Sequence, residues 1–468
     1  MRKNSLYLLI GLLAISFAFT SCLDDDDTTY ELTSDAAITN FSIGDIAMKD
    51  VIKTKDGSKD SIVYYNLSTV GYKFTIDQAR GMIYNADSLP VGTDITKVTV
   101  DTLTLSYGYY VTYVKNGQDT VWTTTDSIDF TKPVTFKAYA LNGGIRQYQV
   151  KISVHRQDPD SLQWSRMEAS GLEIPAGADH KAVCCQGRMY VFAQTSGGEL
   201  QVNSSADGVI WDGWQTTSLT GEVKVTSVLA LDDRFYILSD GKLYDSADGQ
   251  DWLVANDSRT FTQLFAASPK LGELYAVSES EILVLSKDGS VLGGRGIIDD
   301  SFPKQNLSYM VSTTRANGSI ERLTLVGTRS SDKDTTAVVW SKLSNEDSWT
   351  YYPQASNNTL GCPKLKNLAT IAYDGKLYAF GGDYDIPASQ ARPEDFKPFK
   401  YMYESVDGGL GWRPRTSKVM LPEAFLNRSA DFSYLVDDDD FIWIFWSPSE
   451  QTENRTEVWR GKINRLGF

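Results

Sequence analysis

Histidine, cysteine and basic residues are all scarce in this chain. It has 2 His and 4 Cys in 468 residues, so a zinc site of three histidines is excluded and a histidine-based catalytic triad is not favoured. The 45 Lys and Arg are outnumbered by 60 Asp and Glu, which gives a formal net charge of -15. Because binding to a phosphate backbone needs a basic surface, the composition argues against nucleic acid as a partner.

Long apolar runs are missing after the amino terminus. The one candidate, residues 6–19, has 14 residues and is too short to span a bilayer comfortably. Two basic residues precede it and two small residues follow it, which is the pattern of a cleaved export signal. We therefore predict a signal peptide over residues 1–21.

The end of this segment carries a modification motif. Residues 19–22, Phe-Thr-Ser-Cys, resemble the lipobox of bacterial lipoproteins. The resemblance implies cleavage before Cys22, lipid attachment to its thiol and anchoring in the outer membrane. A plain secretory signal with an incidental cysteine is the alternative.

An acidic tether, residues 22–35, follows the predicted cleavage site and holds four consecutive aspartates at 24–27. A cysteine followed by an acidic run resembles the surface-export signal of Bacteroidota lipoproteins. That resemblance implies a location on the cell surface. A solvated spacer without a targeting role is the other interpretation of the same residues.

The remaining cysteines do not form a recognisable framework. With Cys22 lipidated, Cys184, Cys185 and Cys362 remain, and an odd number leaves at least one thiol free or paired between chains. The adjacent Cys184 and Cys185 allow a strained vicinal disulfide, but small core-filling side chains are the favoured interpretation.

Residues 36–157 alternate apolar and polar side chains, as half-buried strands do. The alternation is clear at 134–138 and 148–154, and the Asn-Gly-Gly at 142–144 signals a hairpin turn between them. About seven such strands in roughly 120 residues suggest an immunoglobulin-like β-sandwich. The polar segment 156–161 is the predicted linker to the next domain.

Residues 162–468 contain an internal repeat. Each unit shows short apolar strands, and a Ser-x-Asp-Gly turn precedes its last strand in most copies. The repeated turn residues are Asp207 and Gly208 with Trp211, Asp248 and Gly249 with Trp252, Asp288 and Gly289 without a tryptophan, and Asp407 and Gly408 with Trp412. Aspartate and glycine suit such turns, because glycine adopts positive φ and the carboxylate accepts bonds from nearby N–H groups.

Six units of four short strands indicate a six-bladed β-propeller, so we predict an all-β protein. The sixth unit stops after its third strand near residue 463, and residues 162–166 look like a fourth strand without the preceding three. We expect this N-terminal strand to complete the last blade and close the ring, which removes open sheet edges. An open β-solenoid is the alternative.

Two short segments resemble known repeats. Residues 405–412 resemble the Asp box of sialidases and related propellers, and residues 381–383 resemble a kelch repeat. Asp boxes are structural turns in those families, so the resemblance implies a fold and not a chemistry. With segments 88–94 and 128–134, the chain resembles uncharacterised Bacteroidota lipoproteins that join an Ig-like module to a six-bladed propeller. That family implies no catalytic residues.

The expected function is a non-catalytic binding or scaffold module for a glycan, a peptide or a partner protein. The alternative is a propeller glycoside hydrolase of sialidase type. A sialidase needs three arginines, a tyrosine nucleophile with a glutamate partner and an aspartate, whereas a glycosidase of another type needs two facing carboxylates. The sequence singles out neither set, and no catalytic residue, cofactor or metal is predicted. Carboxylates or arginines converging on the channel would favour the enzyme, whereas aromatic side chains without paired acids would favour binding.

Three further features each have a structural and a functional interpretation. The four aspartates at 437–440 carry the oxygen ligands that calcium takes, but a solvated turn is the simpler interpretation. His180 precedes an inner strand and either faces the channel or serves the core. Trp446 either stacks on a sugar or packs in the core, and core packing is favoured.

Overall fold

The computed structural model describes residues 31–53, 60–314, 318–329, 334–353, 360–386 and 396–466. The predicted signal peptide 1–21, Cys22 and the predicted tether up to residue 30 lie outside the described residues. The described chain divides into two compact units: residues 31–51 and 62–156 form the first, and residues 157–466 form the second together with 52–53 and 60–61. None of the described helices is both long and apolar enough to cross a membrane.

The first unit is built from strands in two main sheets and a hairpin. A six-stranded sheet has the order β4-β5-β11-β10-β7-β8, a three-stranded sheet has the order β1-β6-β9, and β2 pairs with β3. The strands are β1 Ile38–Ile43, β2 Ile46–Lys53, β3 Asp60–Leu67, β4 Phe74–Asp77, β5 Met82–Asn85, β6 Val98–Leu105, β7 Gly108–Lys115, β8 Gln118–Val121, β9 Ser127–Ile128, β10 Val134–Ala140 and β11 Ile145–Lys151.

The alternation read from the sequence is clearest in β10 and β11. Val134, Phe136 and Ala138 of β10 are buried while the residues between them are partly exposed. The turn that joins the two strands is the predicted hairpin: Gly143 has a φ of 85°, and the Gly144 N–H donates to Asn142 Oδ1 at 2.9 Å. Period-two burial therefore gives this sheet one packed face.

One core serves both main sheets of the first unit. Phe41 of β1 meets Phe136 of β10 edge to face, with ring centroids 6.2 Å apart. The described unit has eleven strands, so the expectation of about seven was too low. Strands such as β4, β5, β8 and β9 are two to four residues long, and such short segments show little alternation in the sequence.

The second unit contains six four-stranded sheets, the first four of which follow chain order. Their strands are β13 His180–Cys185, β14 Arg188–Gln194, β15 Leu200–Ser205 and β16 Gln215–Thr216; β17 Val223–Leu231, β18 Arg234–Ser239, β19 Lys242–Ser246 and β20 Leu253–Asn256; β21 Gln263–Ser268, β22 Glu273–Ser278, β23 Glu281–Ser286 and β24 Val291–Ile297; and β25 Gln305–Thr313, β26 Glu321–Thr328, β27 Val338–Leu343 and β28 Thr350–Tyr352.

The fifth sheet also follows chain order, but the sixth takes one strand from the start of the unit. The fifth consists of β29 Ala369–Tyr373, β30 Lys376–Phe380, β31 Tyr403–Ser405 and β32 Arg413–Pro414. The sixth consists of β33 Phe432–Val436, β34 Ile442–Trp446, β35 Glu457–Ile463 and β12 Leu162–Met167. Single-turn 3-10 helices lie at Glu423–Phe425, Glu450–Thr452 and Asn464–Leu466.

Strand β12 pairs antiparallel with β35, from Leu162 opposite Ile463 to Met167 opposite Val458. The expectation that a segment near Trp164 supplies the missing fourth strand is therefore confirmed. The first strands of the six sheets contact one another in cyclic order, β13-β17-β21-β25-β29-β33 and back to β13.

Large apolar clusters fill the spaces between neighbouring sheets. One joins Leu229 and Tyr236 of the second sheet to Leu264 and Leu274 of the third. Strand β34 is buried along all five of its residues, so it lies between apolar layers on both faces. Burial of both faces explains why its sequence is a continuous apolar run rather than an alternating one.

Candidate ligand-binding cavity

The repeated turns use their polar groups internally. At the first turn, Asp207 Oδ1 accepts bonds from the Val209 and Ile210 N–H groups, each at 2.8 Å. The N–H donors of Ile210 and Val209 lower the pKa of the Asp207 carboxyl below its ordinary value. Trp211 Nε1 donates to the Gly208 carbonyl at 3.1 Å, so the tryptophan closes over its own turn.

The second turn repeats this geometry. Asp248 Oδ1 accepts from Gln250 N at 2.8 Å and from Asp251 N at 2.9 Å, and Trp252 Nε1 donates to the Gly249 carbonyl at 3.0 Å. In the third copy Asp288 Oδ1 accepts from Ser290 N at 3.1 Å.

The last copy is one residue longer. The Gly409 N–H, and not that of Gly408, donates to Ser405 Oγ at 2.9 Å, and Trp412 Nε1 donates to the Gly409 carbonyl at 3.0 Å. Asp407 Oδ1 accepts from Gly411 N at 2.9 Å. Gly409 therefore takes the place that Gly208 and Gly249 hold in the first two copies.

A glycine is required where the first turn touches the neighbouring sheet. Gly208 has a φ of 72°, and a Cβ built there would lie 2.3 Å from the ring of Trp443 in β34. The turn residues thus hold sheets together, and none of Asp207, Asp248 or Asp288 lines the central cavity described next.

A cavity of about 310 Å³ lies among the first strands of all six sheets. Each sheet contributes side chains to its wall; one from each, in sheet order, is Lys181, Thr226, Phe265, Tyr309, Thr370 and Tyr434. Convergence of six strands on one axis is what gives a propeller a pocket at its centre. The lining contains no aspartate, glutamate or arginine.

Lys181 is the charged side chain of this wall. Its Nζ lies 5.9 Å from the ring centroid of Tyr434, within reach of a cation–π contact. Burial lowers the pKa of the Lys181 amine, because the surrounding protein disfavours its charged form. Among the described residues no carboxylate pairs with it.

A chain of hydroxyl groups crosses the same wall. Ser308 Oγ and the Tyr434 hydroxyl lie 2.5 Å apart, and Thr370 Oγ1 donates to Ser308 Oγ at 2.6 Å. Burial raises the pKa values of Tyr434 and Tyr309, so both phenols stay protonated near neutral pH. The cavity therefore combines one amine with neutral hydroxyls and aromatic rings.

His180 lies next to Lys181 in β13 but is turned into the protein. Its Nδ1 lies 2.8 Å from Ser433 Oγ and its Nε2 lies 2.9 Å from Ser447 Oγ. Burial lowers the pKa of His180 to about 4, so the ring is neutral above mildly acidic pH. Both ring nitrogens are satisfied, which supports the structural interpretation of this residue.

A second cavity of about 180 Å³ shares Lys181, Thr226 and Tyr434 with the first. Asp179 and Asp431, which also line it, are exposed. Asp431 Oδ1 accepts a bond from Asn367 Nδ2 at 3.3 Å. The amine of Lys181 thus lies at the junction between a hydroxyl-lined interior and a more acidic opening.

The other residues named from the sequence lie in turns or in the core. Asp437 Oδ1 accepts from Phe441 N at 2.8 Å and its Oδ2 accepts from Trp443 Nε1 at 2.7 Å, which makes it a turn residue. In the part of the chain that the structure describes, no group of three or more acidic, cysteine or histidine side chains is placed to hold a metal. Trp446 is fully buried and packs on Phe425, with ring centroids 5.1 Å apart.

Cys184, Cys185 and Cys362 are free thiols, so the vicinal disulfide is not formed. Cys184 lines the cavity, and burial raises its pKa to about 11, which keeps the thiol protonated and unreactive.

Sequence reasoning missed Lys181, Tyr309 and Tyr434, which carry the chemistry of the cavity. Polar residues at alternating positions of the first strand of each repeat were the available signal. These polar residues can be assigned to a cavity only when the first strands are known to face a common axis.

Two family models match the chain. The DUF6242 β-propeller domain matches residues 158–468, and the DUF6242 N-terminal domain, described as a domain of unknown function, matches residues 41–152. The chain therefore belongs to the DUF6242 family. No curated protein matches it significantly.

Several solved structures match this chain at low similarity. The α-L-arabinanase of Penicillium chrysogenum is 10% identical with a TM-score of 0.37, over 64% of this chain and 99% of that chain. The endo-arabinanase of Bacillus licheniformis is 11% identical with a TM-score of 0.32, over 63% and 96%. The Pan2 WD40 domain of Neurospora crassa is 10% identical with a TM-score of 0.37, over 65% and 97%. At these values the likeness carries no functional argument.

Proposed function

We propose that this member of the DUF6242 family is a lipid-anchored protein of the cell envelope that binds a ligand through its propeller without catalysing a reaction. In this proposal Cys22 carries the lipid in the outer membrane, and the acidic residues at 24–27 direct the protein to the cell surface. The lipobox-like segment supports the lipid anchor, and the acidic run after it supports the location on the cell surface. The ligand is a glycan, a peptide or an exposed part of a partner protein.

The proposed architecture is an Ig-like spacer followed by a six-bladed propeller. The shared core of the two main sheets of the first unit supports a sandwich. Six four-stranded sheets whose first strands meet in cyclic order support six blades. In such an arrangement the pocket on the ring axis is the natural binding site.

The composition of the cavity wall is the observation that carries the proposal. Most glycosidases need two carboxyl groups that flank the bond, and a sialidase needs arginines to clamp its substrate and acids beside its tyrosine nucleophile. The lining of the 310 Å³ cavity contains neither acid nor arginine, while it does contain Phe265, Tyr309 and Tyr434. Aromatic rings and hydroxyl groups without paired acids suit binding rather than hydrolysis.

Asp179 and Asp431, at the smaller cavity, do not supply the missing pair. Both are exposed, whereas a catalytic acid that stays protonated near neutral pH needs an apolar or like-charged environment. The exposure of these two acids therefore supports the binding proposal over the glycoside hydrolase alternative.

The test is a glycan and peptide array probed with the purified full chain. Thr226 is exposed to the cavity, so Thr226→Trp fills the cavity without disturbing the apolar core. Thr216→Trp is the matched control, since Thr216 is exposed on the outermost strand β16. We expect array binding to be lost in Thr226→Trp and kept in Thr216→Trp. Binding that survives Thr226→Trp, or turnover of an array ligand in a hydrolase screen, would contradict the proposal.

A further inference from the structure

The strongest unexplained feature of the channel is the amine of Lys181. It lies in the wall of the cavity beside the Tyr434 ring, and no hydrogen bond or ion pair satisfies it among the described residues. Lys181 is half-buried, so its amine reaches the cavity, and an amine without a counter-charge from the protein is available to pair with an anionic ligand. Two buried cations of this unit do have polar partners: Arg428 lies 2.7 Å from Glu457, and Lys342 Nζ donates to the Glu346 carbonyl at 2.8 Å.

The missing partner of Lys181 is best supplied by a carboxylate. A single amine matches a single negative charge, whereas a phosphate dianion needs several cations or N–H donors. The lining offers no arginine and no second lysine. The neutral protein groups that reach the cavity are hydroxyls, so they cannot neutralise the amine themselves.

The rest of the wall indicates what the carboxylate is attached to. Thr226 presents a hydroxyl group, and the half-buried Tyr309 and Tyr434 present aromatic rings. Hydroxyls pair with the hydroxyls of a sugar, and aromatic rings cover its apolar faces. A cavity of about 310 Å³ is at the lower end of ligand pockets, so it takes one sugar unit rather than a long oligosaccharide.

We propose that the cavity binds a sugar acid, as a free monosaccharide or as the terminal unit of a glycan, with its carboxylate paired to Lys181. This rests on the proposed binding function and specifies its ligand class. The exposed acids Asp179 and Asp431 at the smaller cavity repel an anion, but water and salt screen their charges more than that of the half-buried Lys181.

The test is calorimetric titration of the purified full chain with glucuronate, galacturonate and N-acetylneuraminate. Glucose and galactose are the neutral counterparts, and acetate and inorganic phosphate supply the charge without the sugar. We expect at least one sugar acid to bind at least tenfold more tightly than every neutral sugar, acetate and phosphate. Lys181→Met should weaken this binding at least tenfold, while Lys242→Met, which removes an exposed lysine of β19, should leave it unchanged.

A second measurement separates a ligand-binding lysine from a structural one. Methionine has a similar length and no charge, so Lys181→Met should raise the melting temperature of the ligand-free chain. A lower melting temperature would mean that the amine serves the fold, and it would overturn the inference.

Four further outcomes would overturn the sugar-acid inference. Failure of all three sugar acids to bind, equal binding of neutral sugars, or unchanged affinity in Lys181→Met would each overturn it. A neutral array ligand that is lost in Thr226→Trp but kept in Lys181→Met would overturn the sugar-acid inference and leave the proposed binding function standing.

Discussion

The ring of Trp164 lies flat against Gly461, across the strand pairing that completes the sixth sheet. A Cβ built on Gly461 would lie 2.6 Å from ring atom Cε3, closer than any real contact. Trp164 Nε1 also donates to the Met420 carbonyl at 2.8 Å, which fixes the ring in place. The pairing of β12 with β35 therefore includes a close contact between Trp164 and Gly461 that a larger residue at position 461 would disturb.

Replacement of this glycine should loosen that junction. We expect Gly461→Ala to lower the free energy of unfolding by about 1–3 kcal/mol, because the added methyl group displaces the Trp164 ring. Gly318→Ala is the control, since a Cβ there meets nothing within 4 Å. Tryptophan fluorescence during thermal unfolding measures the effect, because Trp122 is the one tryptophan before residue 157. Equal melting temperatures for the two variants would contradict the role given to Gly461.

Much of the second unit could be predicted from the sequence because its signals are local. Ser-x-Asp-Gly turns bond within themselves, as at Asp207 and Asp248, so they mark sheet boundaries whatever surrounds them. Counting the strands in each repeat was enough to identify the extra strand near Trp164. These inferences did not depend on which side chains meet across the ring.

The cavity could not be predicted, because it depends on contacts distant in the sequence. Lys181 and Tyr434 are 253 positions apart, yet their side chains meet at the axis. A lysine at an alternating position of a strand usually faces solvent, and nothing near Lys181 marks it otherwise. In the first unit, β5 pairs in parallel with β11, which is also distant in the sequence, and the alternation of apolar and polar residues does not predict this pairing.

The self-contained turns also differ in strength in a way that can be measured. Asp248 accepts two backbone N–H bonds under a buried tryptophan, whereas Asp288 accepts one and has no tryptophan over it. We expect Asp248→Ala to lower the free energy of unfolding by about 1–2 kcal/mol, since the N–H groups lose their acceptor. Asp288→Ala should cost less. Urea unfolding followed by fluorescence compares the two, and the reverse order would refute this ranking.

The proposed anchor can be tested by labelling. Growth of expressing cells with radiolabelled palmitate should label the wild-type protein, and Cys22→Ala should lose the label because no acceptor thiol remains at the predicted cleavage site. Cys184→Ala should keep it, since that thiol lies in the channel wall. Label retained in Cys22→Ala would show that the lipid is attached at another residue, which would contradict the proposed anchor.

His180 should make the second unit sensitive to acid. Burial lowers its pKa from 6.5 to about 4, so the unfolded chain binds a proton more readily than the folded chain. Stability from the neutral ring is fully present above pH 6.5 and is lost progressively as the pH falls towards 4. At 1.36 kcal/mol per unit, the loss attributable to His180 reaches about 3 kcal/mol.

Comparison of variants isolates this contribution from that of the carboxylates, Asp179 and Asp431 among them, and of the adjacent Lys181. In His180→Gln the amide can donate to one of Ser433 and Ser447 and accept from the other, but it does not titrate. The difference in unfolding free energy between wild type and His180→Gln should therefore change between pH 6.5 and 4, in favour of the variant at low pH. A pH-independent difference would show that His180 is not buried as a neutral ring.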